Sequence, residues 1–193
     1  MVAASILPIT IHNNQLHFLF GKENSMEDSA KGWSDFGGRV DHGESIFQGA
    51  LREGSEELTG FLGDEKALKS MIRKNGGFHK ITHNKYNVHA FYLPYDEKLP
   101  IYYNYNHKFL WERMDKNILN DSKLFEKIEI NWFSFDEMKN RKSEFRGFYQ
   151  EIVDIFIENE SNLKNFIKSK HFHKKNHWQY KLKPMCRYLR LLT

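Results

Sequence analysis

Four glutamates, Glu44, Glu53, Glu56 and Glu57, fall within fourteen positions of one another, and their spacing limits what the segment can be. On a helix the positions i, i+3 and i+4 share a face, so Glu53, Glu56 and Glu57 project together with Arg52 beside them. Like charges so close repel unless a cation lies between them. Hard divalent ions prefer carboxylate oxygens, and magnesium in particular is held by a few carboxylates together with substrate phosphates. The start of the helix is legible as well. Ser45-Ile46-Phe47-Gln48 is a capping box, which predicts a helix from about residue 46. Ile46, Phe47, Ala50, Leu51 and Leu58 form an apolar stripe that docks this helix on a sheet.

The stretch Gly38, five residues, Glu44, seven residues, Arg52-Glu53-x-x-Glu56-Glu57 resembles the Nudix box. Two positions depart from that pattern. Gly54 stands where the box has an apolar residue. Thr59 stands at the terminal glycine position, with Gly60 and Phe61 one residue late. Glycine within a helix costs about 1 kcal/mol relative to alanine, so Gly54 predicts either a close neighbour or a loosened helix. The late glycine predicts one extra residue before the helix ends. Neither change removes a carboxylate.

The resemblance covers roughly residues 4–160 and implies an α/β/α sandwich around a mixed β-sheet. It implies hydrolysis of a nucleoside diphosphate linked to another group, assisted by magnesium or manganese that offsets phosphate charge and activates water. By position it assigns Glu56 and Glu57, with Glu53, as metal ligands. Glu53 would also orient or deprotonate water, Arg52 would hold the glutamates, Gly38 would contribute its carbonyl and Glu44 would support the box. A further acid from outside the box is expected, with Glu144 and Glu151 as candidates.

Charge divides the chain unevenly. After Glu160 there are nine basic residues and no acidic one, which leaves 20 bases against 25 acids, about −5, in residues 1–160. We therefore expect a hydrolase domain over 1–160 and a basic, aromatic C-terminal extension over 161–193. Lys174, Lys175 and Trp178 are the extension's candidates for contact with an RNA substrate, since cations neutralise phosphates and aromatic rings stack bases. Trp33, Phe36 and Arg39 are the candidates next to the box, and Tyr86, Phe91 and Tyr92 are further rings suited either to a base or to the core.

These features favour removal of an mRNA 5′ cap. The alternatives are a small-nucleotide, dinucleotide or diphosphoinositol pyrophosphohydrolase, or a non-catalytic nucleotide- or cap-binding module. Lysine-rich composition and Trp33-Ser-Asp-Phe-Gly-Gly resemble Nudix proteins of large DNA viruses and protists. The single cysteine, Cys186, excludes an internal disulfide, and the absence of a long apolar run or basic leader predicts a soluble cytoplasmic protein without membrane contact. His79, His83 and His89 read as strand or loop residues, because they lack a compact metal-ligand spacing.

The remaining expectations are local. Residues 5–20 should form a hairpin turning at Asn13-Asn14, followed by a polar loop over 21–31 and a short strand at 33–38. A helix should span 64–74, with strands at 78–82, 86–95 and 128–132. A second capping box lies at Ser134–Glu137. Phe145, Phe148, Tyr149, Ile152, Ile155 and Phe156 form a helical face for the sheet. Residues 101–127 show no clear period.

Overall fold

A computed structural model describes residues 1–24, 31–115, 117–118 and 126–174, with side chains of the last helix up to Ser169. The first hairpin joins β1 (Ala3–His12) to β2 (Gln15–Glu23) through Asn13 and Asn14. Both asparagines take positive φ, 47° and 63°, as a two-residue turn matched to strand twist requires. β2 extends to Glu23 into the expected loop, because β7 (Lys127–Ser134) pairs along its length.

β1 and β2 separate beyond Ile9. A short excursion fills the gap: β3 (Trp33–Ser34) pairs with β2, and β4 (Phe36–Arg39) pairs with β1. Asp35 is the residue at which the chain changes partner. On the far edge of β1 lies β6 (Tyr86–Tyr92), in parallel, and β5 (Phe78–His83) completes that side. The sheet is therefore mixed.

Helices cover both faces. On one face α1 (Ile46–Glu57), α2 (Glu65–Lys74) and α3 (Lys98–Arg113) enclose Ile6, Phe36, Ala50, Leu51, Leu68, Ile72 and Tyr103. On the other, α4 (Phe135–Asn140), α5 (Tyr149–Glu158) and α6 (Glu160–Lys174) enclose Phe18, Phe20, Phe133, Tyr149, Ile152 and Phe156. The architecture is the expected α/β/α sandwich. Leu163 and Ile167 of α6 are fully buried in the second core, so the first part of the basic segment packs against the sheet.

Several local expectations need correction. α3 was invisible because its outer face carries Ile101, Tyr102, Tyr105 and Phe109, all exposed, which removes the apolar contrast that marks a helix. Pro100 lies in its first turn, where the missing N–H is not needed. Asn104 exchanges two hydrogen bonds with the Ile130 backbone, tying α3 to β7. Phe148 is 46% exposed and precedes α5, while its neighbour Tyr149 is buried.

Candidate active site

α1 begins as the sequence requires: Ser45 accepts from the Gln48 N–H and the Gln48 side chain accepts from the Ser45 N–H, closing the capping box. Gly54 resolves in favour of a close neighbour. A methyl group there would overlap the side chain of Ile6 on β1, so the glycine lets α1 lie directly on the strand.

The helix end differs from expectation. α1 stops at Glu57, without the extra residue. Thr59 donates to the Glu56 carbonyl and Gly60 to the Ser55 carbonyl, the double bond of a Schellman cap. Thr59 itself adopts the left-handed conformation, φ 47°, that such a cap normally gives to glycine. Its buried hydroxyl has no hydrogen-bond partner among the described residues.

Arg52 organises the outer glutamates. Its Nε and Nη2 donate to Glu44 at 2.9 and 3.2 Å, Nη1 donates to Glu53 at 2.9 Å, and Nη2 also donates to the Arg39 carbonyl at 2.9 Å. Glu56 and Asp41 lie 3.5 Å from the same guanidinium. Hydrogen bonding to Arg52 holds the Glu44 carboxyl below the usual range, and that to Glu44 raises Arg52 further. Gly38 runs beneath this cluster. A Cβ on it would fall 2.5 Å from Glu53 Oε2, so only glycine leaves room for that carboxylate.

Glu57 turns the other way. It is 5% exposed, accepts the Gly37 N–H at 2.8 Å and lies 3.5 Å from Lys127 Nζ. Lys127, fully buried, also bonds Glu23 and donates to Ser34 at 2.8 Å, and Arg146 donates to Glu23 at 2.7 Å. Burial pushes the Glu57 carboxyl well up, with Lys127 opposing. Burial pulls Lys127 down, but Glu57 and Glu23 more than offset this and keep it a cation. Tyr103 closes the site from α3 by donating to the carbonyls of Glu57 and Lys127.

The three helix glutamates therefore have different partners, Arg52 for Glu53 and Glu56 and Lys127 for Glu57, while Glu53 and Glu57 both reach the Gly37–Gly38 strand. Among the described residues no three acidic, histidine or cysteine side chains converge as a preformed metal cage. The donor set nevertheless suits a hard cation: it is all oxygen, and the missing side chain at Gly38 leaves the Glu53 carboxylate room against the strand.

Other sequence candidates separate. Trp33 and Phe36 are 2% and 0% exposed, and Trp33 packs edge-on against Phe133, so neither offers a face to a base. Phe91 and Tyr92 are likewise buried. Arg39 is exposed beside the box. Glu144 pairs with Arg141 and Glu151 with His83, so neither candidate acid is directed at the box by its contacts. His79, His83 and His89 are strand residues, as expected. Lys174 lies at the end of α6 with its side chain outside the described residues, and Lys175 and Trp178 also lie outside them. No helix among the described residues is long and apolar enough to cross a membrane.

Sequence reasoning missed two buried acids around Glu57. Glu23 comes from the end of β2. Asp35, at the partner change between β3 and β4, is 1% exposed and accepts from Ser5 Oγ and Tyr86 OH at 2.5 Å each. Burial raises its carboxyl to about 6 despite those donors. Strand-end alternation identifies Glu23 only once β2 is known to reach it.

The family model that matches is the NUDIX domain, over residues 1–154. No curated protein matches. Among solved structures, a bifunctional NMN adenylyltransferase/ADP ribose pyrophosphatase of Francisella tularensis, complexed with AMP and a manganese ion, aligns at 16% identity and a TM-score of 0.50. The alignment covers 82% of this chain and 41% of that one. A C. elegans Ap4A hydrolase aligns at 16% identity and a TM-score of 0.45, over 84% and 97% of the two chains. The NUDIX domain of Shewanella oneidensis NrtR with ADP ribose aligns at 11% identity and 0.45, over 82% and 87%. The match reaches the NUDIX domain and not a viral decapping branch within it.

Proposed function

We propose that this chain, which belongs to the NUDIX domain family and is a pyrophosphohydrolase, uses the Arg52 cluster to cleave a phosphoanhydride link in a nucleoside diphosphate joined to another group. The observation that carries the reading is Arg52 bonded to Glu44 and Glu53, and beside Glu56, over a glycine that leaves room for the Glu53 carboxylate. The residues that would hold magnesium or manganese are Glu53, Glu56 and the Gly38 carbonyl. Glu57 joins them from the inner side, where Lys127 shares its carboxylate. When bound, such an ion supplies charge neutralisation on the phosphate chain and makes water more acidic. Glu53 accepts the proton of the attacking water. Arg52 fixes the orientation of Glu53 and Glu56, and Glu57 fixes Gly37 and hence the neighbouring Gly38.

Within that class we propose capped RNA as the substrate. The support is the sequence beyond Glu160, with nine bases and no acid interleaved with Phe172, Trp178, Tyr180 and Tyr188. The test is release of the cap nucleotide from cap-labelled RNA in magnesium or manganese, with ADP-ribose, Ap4A and free cap analogue alongside. Release that disappears in Glu53→Gln and Glu56→Gln supports both parts of the reading. Turnover of the small nucleotides alone would replace capped RNA with a small-nucleotide substrate.

A further inference from the structure

α2 is Glu-Lys-Ala-Leu-Lys-Ser-Met-Ile-Arg-Lys, and its two faces differ sharply. Leu68 and Ile72 are buried against α1. Lys66, Lys69, Ser70, Arg73 and Lys74 recur at i, i+3, i+4, i+7 and i+8 and line one shallow open groove. All four cations are exposed, and among the described residues none of them takes part in an ion pair. Two of them, Arg73 and Lys74, lie in the last turn, where the helix dipole favours positive charge. That accounts for a pair, but not for a row running the length of the helix.

The row is unusual for its setting. Residues 1–160 carry a net charge of about −5, with 20 bases against 25 acids, yet α2 sets four bases against the single acid Glu65. Such segregation is the electrostatic footprint of a polyanion.

We infer that the outer face of α2 is a binding surface for the phosphate backbone of an RNA strand. This extends the capped-RNA reading and rests on it for the identity of the polyanion. Residues 66–74 span about 12 Å along the helix at its usual rise of roughly 1.5 Å per residue. With phosphates about 3.4 Å apart along a stacked strand, the row matches three or four of them.

A bilayer is a poorer fit. Membrane-seated helices flank their cations with exposed Trp, Phe or Leu, and α2 exposes none. The next exposed ring along the chain follows the turn at Asn75–Gly77. Phe78 is 36% exposed and packs with Phe47 and His89, centroids 4.7 Å apart in each case. An aromatic ring following a cationic row suits base stacking.

The test uses the full chain, a fluorescent single-stranded RNA and phosphatidylserine vesicles, with Lys69→Ala/Arg73→Ala compared to the wild type. Both residues are exposed and outside the box, so the melting temperature and turnover of a small nucleotide substrate should be unchanged. RNA affinity should fall about tenfold, and the slope of log affinity against log salt should shrink by about 1.4, since each single-strand phosphate contact contributes roughly 0.7. Equal RNA affinity and salt slope in the two proteins, no RNA binding by the wild type, or loss of vesicle binding without loss of RNA binding would each overturn the inference. RNA binding that depends on the two residues without any cap release supports the surface and removes the capped-RNA reading alone.

Discussion

Arg52 and Lys127 each gather glutamates at α1, one in water and the other in the dry interior. The Arg52 side chain is 21% exposed, and its partners reach 60% exposure at Glu56 and 63% at Asp41. Lys127 and its two carboxylates are essentially sealed, at 0% for the lysine and 5% or less for Glu23 and Glu57. The same ion-pair chemistry therefore carries different energies. Around Arg52 water reaches the cluster unevenly, most at Glu56 and Asp41 and less at Glu44 and Glu53, so the outer contacts are the weak and exchangeable ones, which suits carboxylates that must accept a new cation. Around Lys127 no water compensates a missing partner, which suits a fixed frame beneath them.

The largest expected effect tests that contrast directly. Lys127→Met leaves buried Glu57 without its cation and Glu23 with Arg146 alone, and should lower stability by about 3–5 kcal/mol in urea unfolding. Arg52→Met should lower it by about 1 kcal/mol or less while abolishing hydrolysis. Similar losses in the two variants would erase the distinction between wet and dry clusters. Apolar replacement of Lys127, Glu23 and Glu57 together should recover much of the stability lost in Lys127→Met, since the desolvation cost is then removed with the charges.

Asp35 sharpens the comparison through pH. Its carboxyl is raised to about 6 from an ordinary 3.8, so the folded state disfavours the ionised form. The resulting cost is fully present above pH 6 and is relieved as pH falls through 6 toward 4. At about 1.36 kcal/mol per pH unit the relief amounts to about 3 kcal/mol. In Asp35→Asn this contribution vanishes, so the stability difference between wild type and variant should change by nearly that amount between pH 7 and about pH 3. A constant difference would mean that Asp35 is not buried as a carboxylate. Glu44, held low by its hydrogen bond to Arg52, contributes with the opposite sign, its stabilisation being lost as pH falls.

How much of this was legible follows from distance along the chain. The capping box and the apolar stripe are local to α1, and pattern along the chain is enough to find them, while the reach of Arg52 to Glu44 and Glu53, eight residues or fewer, is what the resemblance implies. The Lys127–Glu23 pair joins residues 104 apart, and nothing in either strand's pattern marks an interior charge. The aromatic candidates failed for a related reason. Trp33 and Phe36 sit near the box in sequence, but alternating strand geometry and the split between β1 and β2 bury both. α3 shows the reverse case, in which exposed aromatics hid a helix that the fold needs to carry Tyr103 and Asn104.

Gly54 sits between the two clusters and tests how closely α1 is pressed onto β1. Gly54→Ala gains about 1 kcal/mol of helix propensity but overpacks Ile6, which typically costs about 1–3 kcal/mol, so the net change should be destabilising. Ile6→Ala in the same chain removes the overlap, and the double-mutant cycle should show favourable coupling between the two sites. Additive losses would place the helix farther from the strand than the overlap at Gly54 requires.

The smallest effect lies at the dry end of α1. Thr59 holds a left-handed conformation, which costs an L-residue roughly 1–2 kcal/mol, and buries an unpaired hydroxyl. Thr59→Gly removes both penalties but loosens the unfolded chain by about 0.4–1 kcal/mol, so a net gain of about 1 kcal/mol is expected in thermal unfolding. Both cap bonds are made by backbone N–H groups and survive the change. The Glu57 frame should therefore keep its geometry, with metal affinity unaltered in titration calorimetry. A gain in stability accompanied by weaker metal binding would show that the strained threonine helps to set Glu57, and would make the dry cluster's end part of the site it supports.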